Sequence, residues 1–392
     1  MDCVSQEQIN HFVLAKQHLA GKSPDQDLIK VVEDIFGLHA TGATTPYLSL
    51  NARLADFDRQ QFDSLLYENP ALVKIRCVRK TIFVHSSQLL PIIFKATSTK
   101  VIKASQHFMA YRGVSPEMYE RLSIAILDRL MDEPMTAAEI KESLDTDADI
   151  SSILYYMCDQ GLLLRGQPAA GWKDRNHKYV VFREIFPELD LNSMDEKKAI
   201  THLVRHYLAA FGPVNEADIV WWTGFGKIRV RAALRNLKEE ISEVQICGSH
   251  ERMLCLESDL PRLFDTEPPV MPVVNLLPFL DSYIMGYARR NRLIAAKDYD
   301  CVFDSSGNAT NTIVVDGVVK GVWDCWDGER AQFRTHIFGL VPPLANEQIV
   351  AQAGSLGIFL TGQPVKVKAL EEMNPLTSMP AGRIMSPLRD DR

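Results

Sequence analysis

The chain has 392 residues, and a soft prior of roughly 150 residues per domain divides it into two to four compact units. A hydrophobic share of 46% and a charged share of 24% are those of an average water-soluble chain, and no apolar run approaches the roughly 18 residues that span a bilayer, which argues against a membrane protein. The formal net charge of -7 speaks against nucleic acid as a partner unless cations are concentrated locally, because phosphate contacts need Lys and Arg.

The opening, Met1-Asp2-Cys3-Val4, has neither a basic nor an apolar targeting region, so the expected compartment is the cytoplasm. The cysteines are Cys3, Cys77, Cys158, Cys247, Cys255, Cys301 and Cys325. They are odd in number and form no C-x-x-C pair, which argues against a disulfide framework, a zinc ribbon or an iron–sulfur cluster. Ser5 with Gln8 reads as a capping box, flanked by Val4 and Ile9 as a hydrophobic staple. Ser23-Pro24 then reads as the N-cap and first residue of a second helix.

Gly37 follows a helical run and supplies the positive φ of a helix end, so His39-Ala40-Thr41 is expected in extended or turn geometry beyond it. Strands are expected over Leu72 to Val78 and Thr81 to His85, with Arg79-Lys80 at the turn. From Ala71 to Pro116 there is no Asp or Glu, while Lys74, Arg76, Arg79, Lys80, Lys95, Lys100, Lys103 and Arg112 are cationic. Such a block is either a polyanion-binding surface or a solvated face that lacks carboxylates.

An internal repeat follows. Pro134-Met135-Thr136-Ala137-Ala138-Glu139-Ile140 recurs as Pro213-Val214-Asn215-Glu216-Ala217-Asp218-Ile219, each with an N-cap and an acid three residues on. Both copies are preceded by an amphipathic helix, carrying Leu122, Ile126 and Leu130 in one and Leu203, Tyr207 and Phe211 in the other. The first copy continues into a helix from Ile150 to Gly161 and strands at Leu162 to Arg165 and Tyr179 to Phe182. Three helices and a hairpin are the winged-helix order. Its wing loop carries Trp172, Lys173, Arg175, His177 and Lys178, a composition suited to the phosphate backbone or minor groove. In the second copy Lys227, Arg231, Arg235 and Lys238 form one helical face, either DNA-facing or merely solvated. His202 and His206 stand one helical turn apart without a third metal ligand, so no metal is expected.

Beyond about residue 240 the pattern alternates. Ile313-Val314-Val315 and Val318-Val319 flank Asp316-Gly317, a hairpin signal. Residues 241 to 338 are therefore expected to form a small antiparallel barrel or sandwich, closed by a helix near Asn346 to Leu360 and followed by a loose tail after Met373. The fold class expected is α+β, three tandem winged-helix units followed by a C-terminal antiparallel β-barrel. The divisions are 1–112 with a connecting helix, 113–192, 193–240, 241–372 with the closing helix, and the tail 373–392.

The runs Phe36-Gly37-Leu38-His39-Ala40-Thr41 and Pro46-Tyr47-Leu48-Ser49-Leu50-Asn51-Ala52-Arg53-Leu54 resemble the N-terminal signature of AlkZ-type winged-helix DNA glycosylases. Arg79 to His85, Phe211-Gly212-Pro213 with Trp221-Trp222-Thr223-Gly224, Leu276 to Tyr287 and Val315 to Trp323 are similar to later segments of that family, in order along the chain. The resemblance implies excision of bulky or N7-alkylated purines, including unhooking of interstrand crosslinks, by a monofunctional glycosylase without cofactor. It implies a partner in damaged double-stranded DNA held against a basic concave face, and a monomer is expected. The family's catalytic signature of Gln, an apolar residue, then Gln or Asp is replaced here by His39-Ala40-Thr41.

In an extended chain His39 and Thr41 point the same way, whereas on a helix they diverge by about 200°. They are the catalytic candidates. The leaving base is already cationic and the sugar passes through an oxocarbenium-like state, so a neutral His39 is expected to accept a water's proton while Thr41 orients that water. Activity should then fall below the His39 pKa, which flat activity between about pH 5.5 and 8 would contradict. The DNA-contacting candidates are Arg53, Lys74, Arg76, Arg79, Lys80, Lys173, Arg175, Lys178, Lys227, Arg231, Arg289 and Arg290. Asp281 reads as a turn residue before a candidate for charge stabilisation. The alternative from another class is a winged-helix regulator or lesion binder without catalysis.

Overall fold

The structure is a computed structural model that describes residues 3–24, 27–328, 331–379 and 386–388. Strand β1 (Cys3–Val4) leads into helix α1 (Gln6–Lys16), whose N-cap Ser5 and Gln8 make both bonds of the capping box. Helix α2 (Leu28–Asp34) is capped by Asp27, which accepts from Lys30 N. Ser23 is thus not the expected N-cap: it sits in a β-bridge to Leu54, and the Asp27 carboxylate next to Leu28 caps the helix instead.

Next come β2 (Leu38–His39), α3 (Thr45–Arg53), α4 (Arg59–Asp63), β3 (Leu72–Arg76), β4 (Ile82–Ser86) and the long α5 (Leu90–Tyr111). The strands form a sheet in the order β2-β4-β3. Helix α6 (Pro116–Asp132), β5 (Met135–Thr136), α7 (Ala137–Ser143), α8 (Ile150–Asp159), β6 (Leu163–Pro168), β7 (His177–Val181) and α9 (Phe182–Ile185) follow, with sheet order β5-β7-β6. Helices α10 (Glu196–Phe211), α11 (Glu216–Thr223) and α12 (Lys227–Asn236) precede the hairpin β8 (Ile241–Ile246) and β9 (Arg252–Leu256). Thr136 with Glu139 and Asn215 with Asp218 make the two capping boxes of the repeat.

The hairpin β8–β9 does not join the C-terminal strands. Its third strand is β1, paired parallel with β8, so the start of the chain completes a sheet more than 200 residues away. Ile9, Phe12 and Val13 of α1 enter the same core as Leu203, Tyr207 and Phe211 of α10. A Cys3–Cys247 disulfide, with 5.1 Å between Cα atoms, ties this junction; it is a single bridge rather than a framework, and Cys77, Cys158, Cys255, Cys301 and Cys325 are free. A bridge over 244 residues leaves no mark in local spacing.

After α13 (Leu260–Phe264) come β10 (Val274–Leu277), α14 (Ser282–Met285), α15 (Tyr299–Val302), β11 (Thr312–Val315), β12 (Val318–Trp326), β13 (Gln332–Ile337), α16 (Pro343–Thr361) and β14 (Lys366–Ala369). Asp316 and Gly317 have φ of 49° and 77°, the pair of positive values that the tight hairpin turn requires. The strands make a five-stranded sheet in the order β10-β11-β12-β13-β14, whose last pair is parallel. Its edge strands do not meet, so it is an open mixed sheet and not the expected barrel. Alternation in a sequence encodes a half-buried sheet, while closure depends on strand number and shear, which alternation does not carry. Ile349, Ala353 and Leu356 of α16 cover one face against Ile313, Trp323 and Phe333. The described part of the tail is also packed: Leu376 and Leu388 are buried, and Asn374 N donates to Pro387 O at 2.7 Å, which corrects the expected looseness there. Among the described residues no helix is long and apolar enough to cross a membrane.

Candidate active site

Helix α2 ends because Phe36 and Gly37 take φ of 52° and 96°, and Gly37 N donates back to Val32 O at 2.8 Å. The turn throws the chain into β2, where Leu38 pairs with Val84 and His39 with Phe83, and Ala40 N continues the ladder to Ile82 O. His39 is therefore on extended backbone. Gly37 has no substitute: a Cβ there would lie 2.4 Å from His85 Cε1, on backbone that L side chains rarely adopt. Gly37→Ala is expected to cost about 2–4 kcal/mol, read as a lowered urea midpoint; an unchanged midpoint would contradict this packing.

The His39 ring is 1% exposed and lies 4.7 Å from the Phe83 ring. Its Nδ1 accepts from the Thr41 backbone N–H at 3.5 Å, while the Thr41 side chain belongs to an exposed residue. Burial, then the Arg79 charge, lowers the His39 pKa to about 3, against the opposing pull of Asp281. The imidazole is thus neutral throughout the physiological range. This moves the expected acid limit: activity should be flat between about pH 5.5 and 8, because the titration that was expected to show there lies far below.

Beneath the site, Arg53 makes a double contact with Asp281, 2.8 Å at each oxygen, and donates to Gln17 O and Ser49 O. Asp281 also accepts from Ser49 Oγ and from Tyr283 N, capping α14, and Ser282 Oγ donates to Gly37 O at 2.9 Å. This lattice ties α3, the 281–285 turn and the His39 strand together. His85, on β4, is equally buried and its pKa falls to about 3, through burial and then His206. Its neighbour Cys77, 3.7 Å away, has its thiol pushed up to about 12 by burial, so the pair holds no thiolate.

Two imidazoles with folded pKa values below the unfolded value make the fold acid-labile. Between about pH 6.5 and 3 the unfolded chain binds more protons, so this stability is complete above pH 6.5 and drains as pH falls. By pH 5 the loss should be about 2 kcal/mol for each imidazole. Urea unfolding at the two pH values checks it, and equal stabilities would contradict neutral burial.

The expected cations separate into groups. Arg53, Arg76 and Arg290, expected at DNA, are engaged in contacts within the fold. Arg53 is wholly buried, Arg76 pairs with Asp159 and bonds Val101 O, and Arg290 bonds Tyr299 Oη and Gly307 O while lying 3.8 Å over Phe303. Arg53 and Arg76 face buried carboxylates, while Arg290 is held by neutral oxygens and an aromatic face. Lys74 is half-buried and donates to the Tyr67 hydroxyl, with its pKa lowered to about 8 by burial. Lys173, Arg231 and Arg289 are exposed in ion pairs with Asp327, Glu216 and Glu251, which phosphate can replace at little cost. Lys80, Arg175 and Lys227 are exposed, and Lys178 is half-buried.

Arg79 lies 4.1 Å over the Trp221 ring, on left-handed backbone with φ of 51°, and its pKa is lowered to about 10 by burial and then by Arg290. Trp172 lies in the β6–β7 loop, at the expected wing tip, and packs there 5.0 Å from Tyr47 and 5.7 Å from Phe359, with Arg59 stacked over it at 5.0 Å. An indole exposed on a loop finds more apolar surface there than in solvent. His206 stacks on Phe36 at 5.1 Å, and no group of three His, Cys, Asp or Glu among the described residues is arranged to hold a metal ion. Lys100 and Lys103 were visible only as members of the basic block; their place beside Arg79 appears with the fold.

The family described as DNA glycosylase AlkZ-like matches residues 32–359, a span that includes His39, Thr41 and the Asp281 turn. No curated protein matches the chain. Among solved structures, the Streptomyces sahachiroi DNA glycosylase AlkZ is similar over 94% of this chain and 100% of its own, with a TM-score of 0.74 at 18% identity, a likeness of fold. With the family matched over most of its length, the chain belongs to the AlkZ-like DNA glycosylases.

Proposed function

We propose that the protein hydrolyses the N-glycosidic bond of N7-alkylated or bulky purines in double-stranded DNA, interstrand crosslinks included, and leaves an abasic site. The observation that carries this reading is the neutral imidazole of His39 within the matched span of a glycosylase family. The three small sheets with their helices read as winged-helix units, which present exposed cations such as Lys80, Arg175 and Lys227 to the phosphate backbone.

An N7-alkylated purine carries positive charge, so the C1′–N9 bond breaks with its electron pair going to the base, and the sugar is left oxocarbenium-like. A cation at His39 would oppose that state; burial keeps it uncharged. With Nδ1 accepting from the Thr41 amide, the imidazole N–H is at Nε2, where it holds the attacking water by donating a hydrogen bond to one lone pair and leaves the other for C1′. At a pKa of about 3 the ring is a poor proton acceptor. Its role is therefore to place the water together with the Thr41 hydroxyl, and the water's proton leaves to solvent as the C1′–O bond forms. The expectation of His39 as a general base is thereby narrowed to one of position and neutrality.

The test is direct. The purified protein is incubated with a duplex containing N7-methylguanine or an interstrand crosslink, and alkali-labile breaks are sought. Breaks at the lesion support the reading; tight binding without breaks overturns it in favour of a lesion binder.

A further inference from the structure

Outside the His39 site, a groove of about 500 Å³ runs between the 77–80 turn, one face of α5 and the end of α11. Its lining includes Arg79, Lys80, Lys100, Lys103 and His107, and none of its lining residues is acidic. Lys100, Lys103 and His107 stand at helical spacings of three and four residues, so they form one exposed stripe along α5. At 1.5 Å per residue the stripe is about 10 Å long, the axial rise of about three nucleotides of one strand. Lys100 Nζ donates to Gly224 O at 2.6 Å, which fixes one end of the stripe against the α11 terminus.

A second observation points to a ligand. Arg79 Nε is buried and makes no hydrogen bond to any described residue, although Arg79 lines this groove. A buried guanidinium with an unsatisfied donor costs free energy that an anion would recover. Trp221, 4.1 Å beneath it, keeps the guanidinium plane from turning away to solvent. Arg79 also acts electrostatically on His39, so one residue of the groove lining is felt at the candidate active site.

We propose that this groove seats the phosphodiester backbone of a DNA strand, with Arg79 as the inner anchor and the Lys100–Lys103–His107 stripe as the track beyond it. The proposal rests on the reading of the protein as a DNA-acting enzyme and goes beyond it by naming the surface that holds the strand. The phosphate bound at Arg79 then belongs to a nucleotide beside His39, and the groove positions the strand so that its sugar, not a neighbour's, meets the water there. Lys95 and Arg112, from the same basic block, lie outside the groove lining.

The test uses an undamaged duplex, so that it does not depend on excision. Fluorescence anisotropy gives the affinity of the full chain between about 50 and 200 mM salt, for the wild type and for Lys100→Gln/Lys103→Gln, whose fold is checked by its urea midpoint because Lys100 also bonds Gly224 O. Each phosphate contact contributes about 0.9 to the slope of log K against log salt, so the double variant should flatten the slope by about 2 and weaken binding at least tenfold at the lowest salt. The exposed pair Lys141→Gln/Lys297→Gln serves as the charge-matched comparison. An equal slope in the wild type and the groove variant, or a loss no greater than in the comparison pair, overturns the proposal. A flattened slope in a protein that makes no breaks at N7-methylguanine would leave the groove standing while the glycosylase reading falls.

Discussion

Asp281→Asn is expected to destabilise the folded protein by about 3–5 kcal/mol, the cost of leaving a buried cation without its counter-charge. Arg53 and Asp281 are both fully buried, and their two bonds of 2.8 Å join helix α3 to the turn that starts α14. Asparagine keeps the shape and can still cap α14, so the loss isolates the charge rather than the packing. Arg53→Met should be similarly damaging, since it strands a carboxylate that also serves Ser49 and Tyr283. The double variant Arg53→Met/Asp281→Asn should recover part of the loss, because neither charge is then left alone. Urea unfolding of the four proteins reads this out. An Asp281→Asn protein as stable as the wild type would contradict the account, and would reopen a direct role for the carboxylate in charge stabilisation at the site.

What could be read in the sequence was what is encoded locally. The capping boxes of Ser5, Thr136 and Asn215 depend on residues three apart, and the Asp316-Gly317 hairpin depends on two adjacent positive φ values, so both followed from the chain itself. The extended backbone at His39 followed from Gly37 in the same way. The fate of the arginines did not, because their partners are distant: Asp281 lies 228 residues from Arg53, and Asp159 lies 83 from Arg76. A cation that solvates a helix and one that closes a core look alike before folding. The pairing of β1 with β8 and the open edge of the C-terminal sheet are likewise products of the whole chain. So is the groove, since Arg79, Lys100 and Phe225 come together from three separate elements.

The depth of His39 could not be read either, and it changes the chemistry most. A histidine at the end of a strand has an ordinary pKa unless the neighbouring layers cover it; here Phe83 and the surrounding core do, and Arg79 adds its charge. The resulting neutrality suits a reaction whose leaving group and sugar both carry positive character.

The central claim is that this uncharged imidazole places the attacking water. Its sharpest measurement is the single-turnover rate of N7-methylguanine excision by His39→Ala, taken beside its affinity for the same duplex. The account predicts a rate at least about 100-fold below the wild type with affinity retained, and a wild-type rate that stays flat between about pH 5.5 and 8. Wild-type excision by His39→Ala would contradict it, and the catalytic group would then have to be sought elsewhere in the fold.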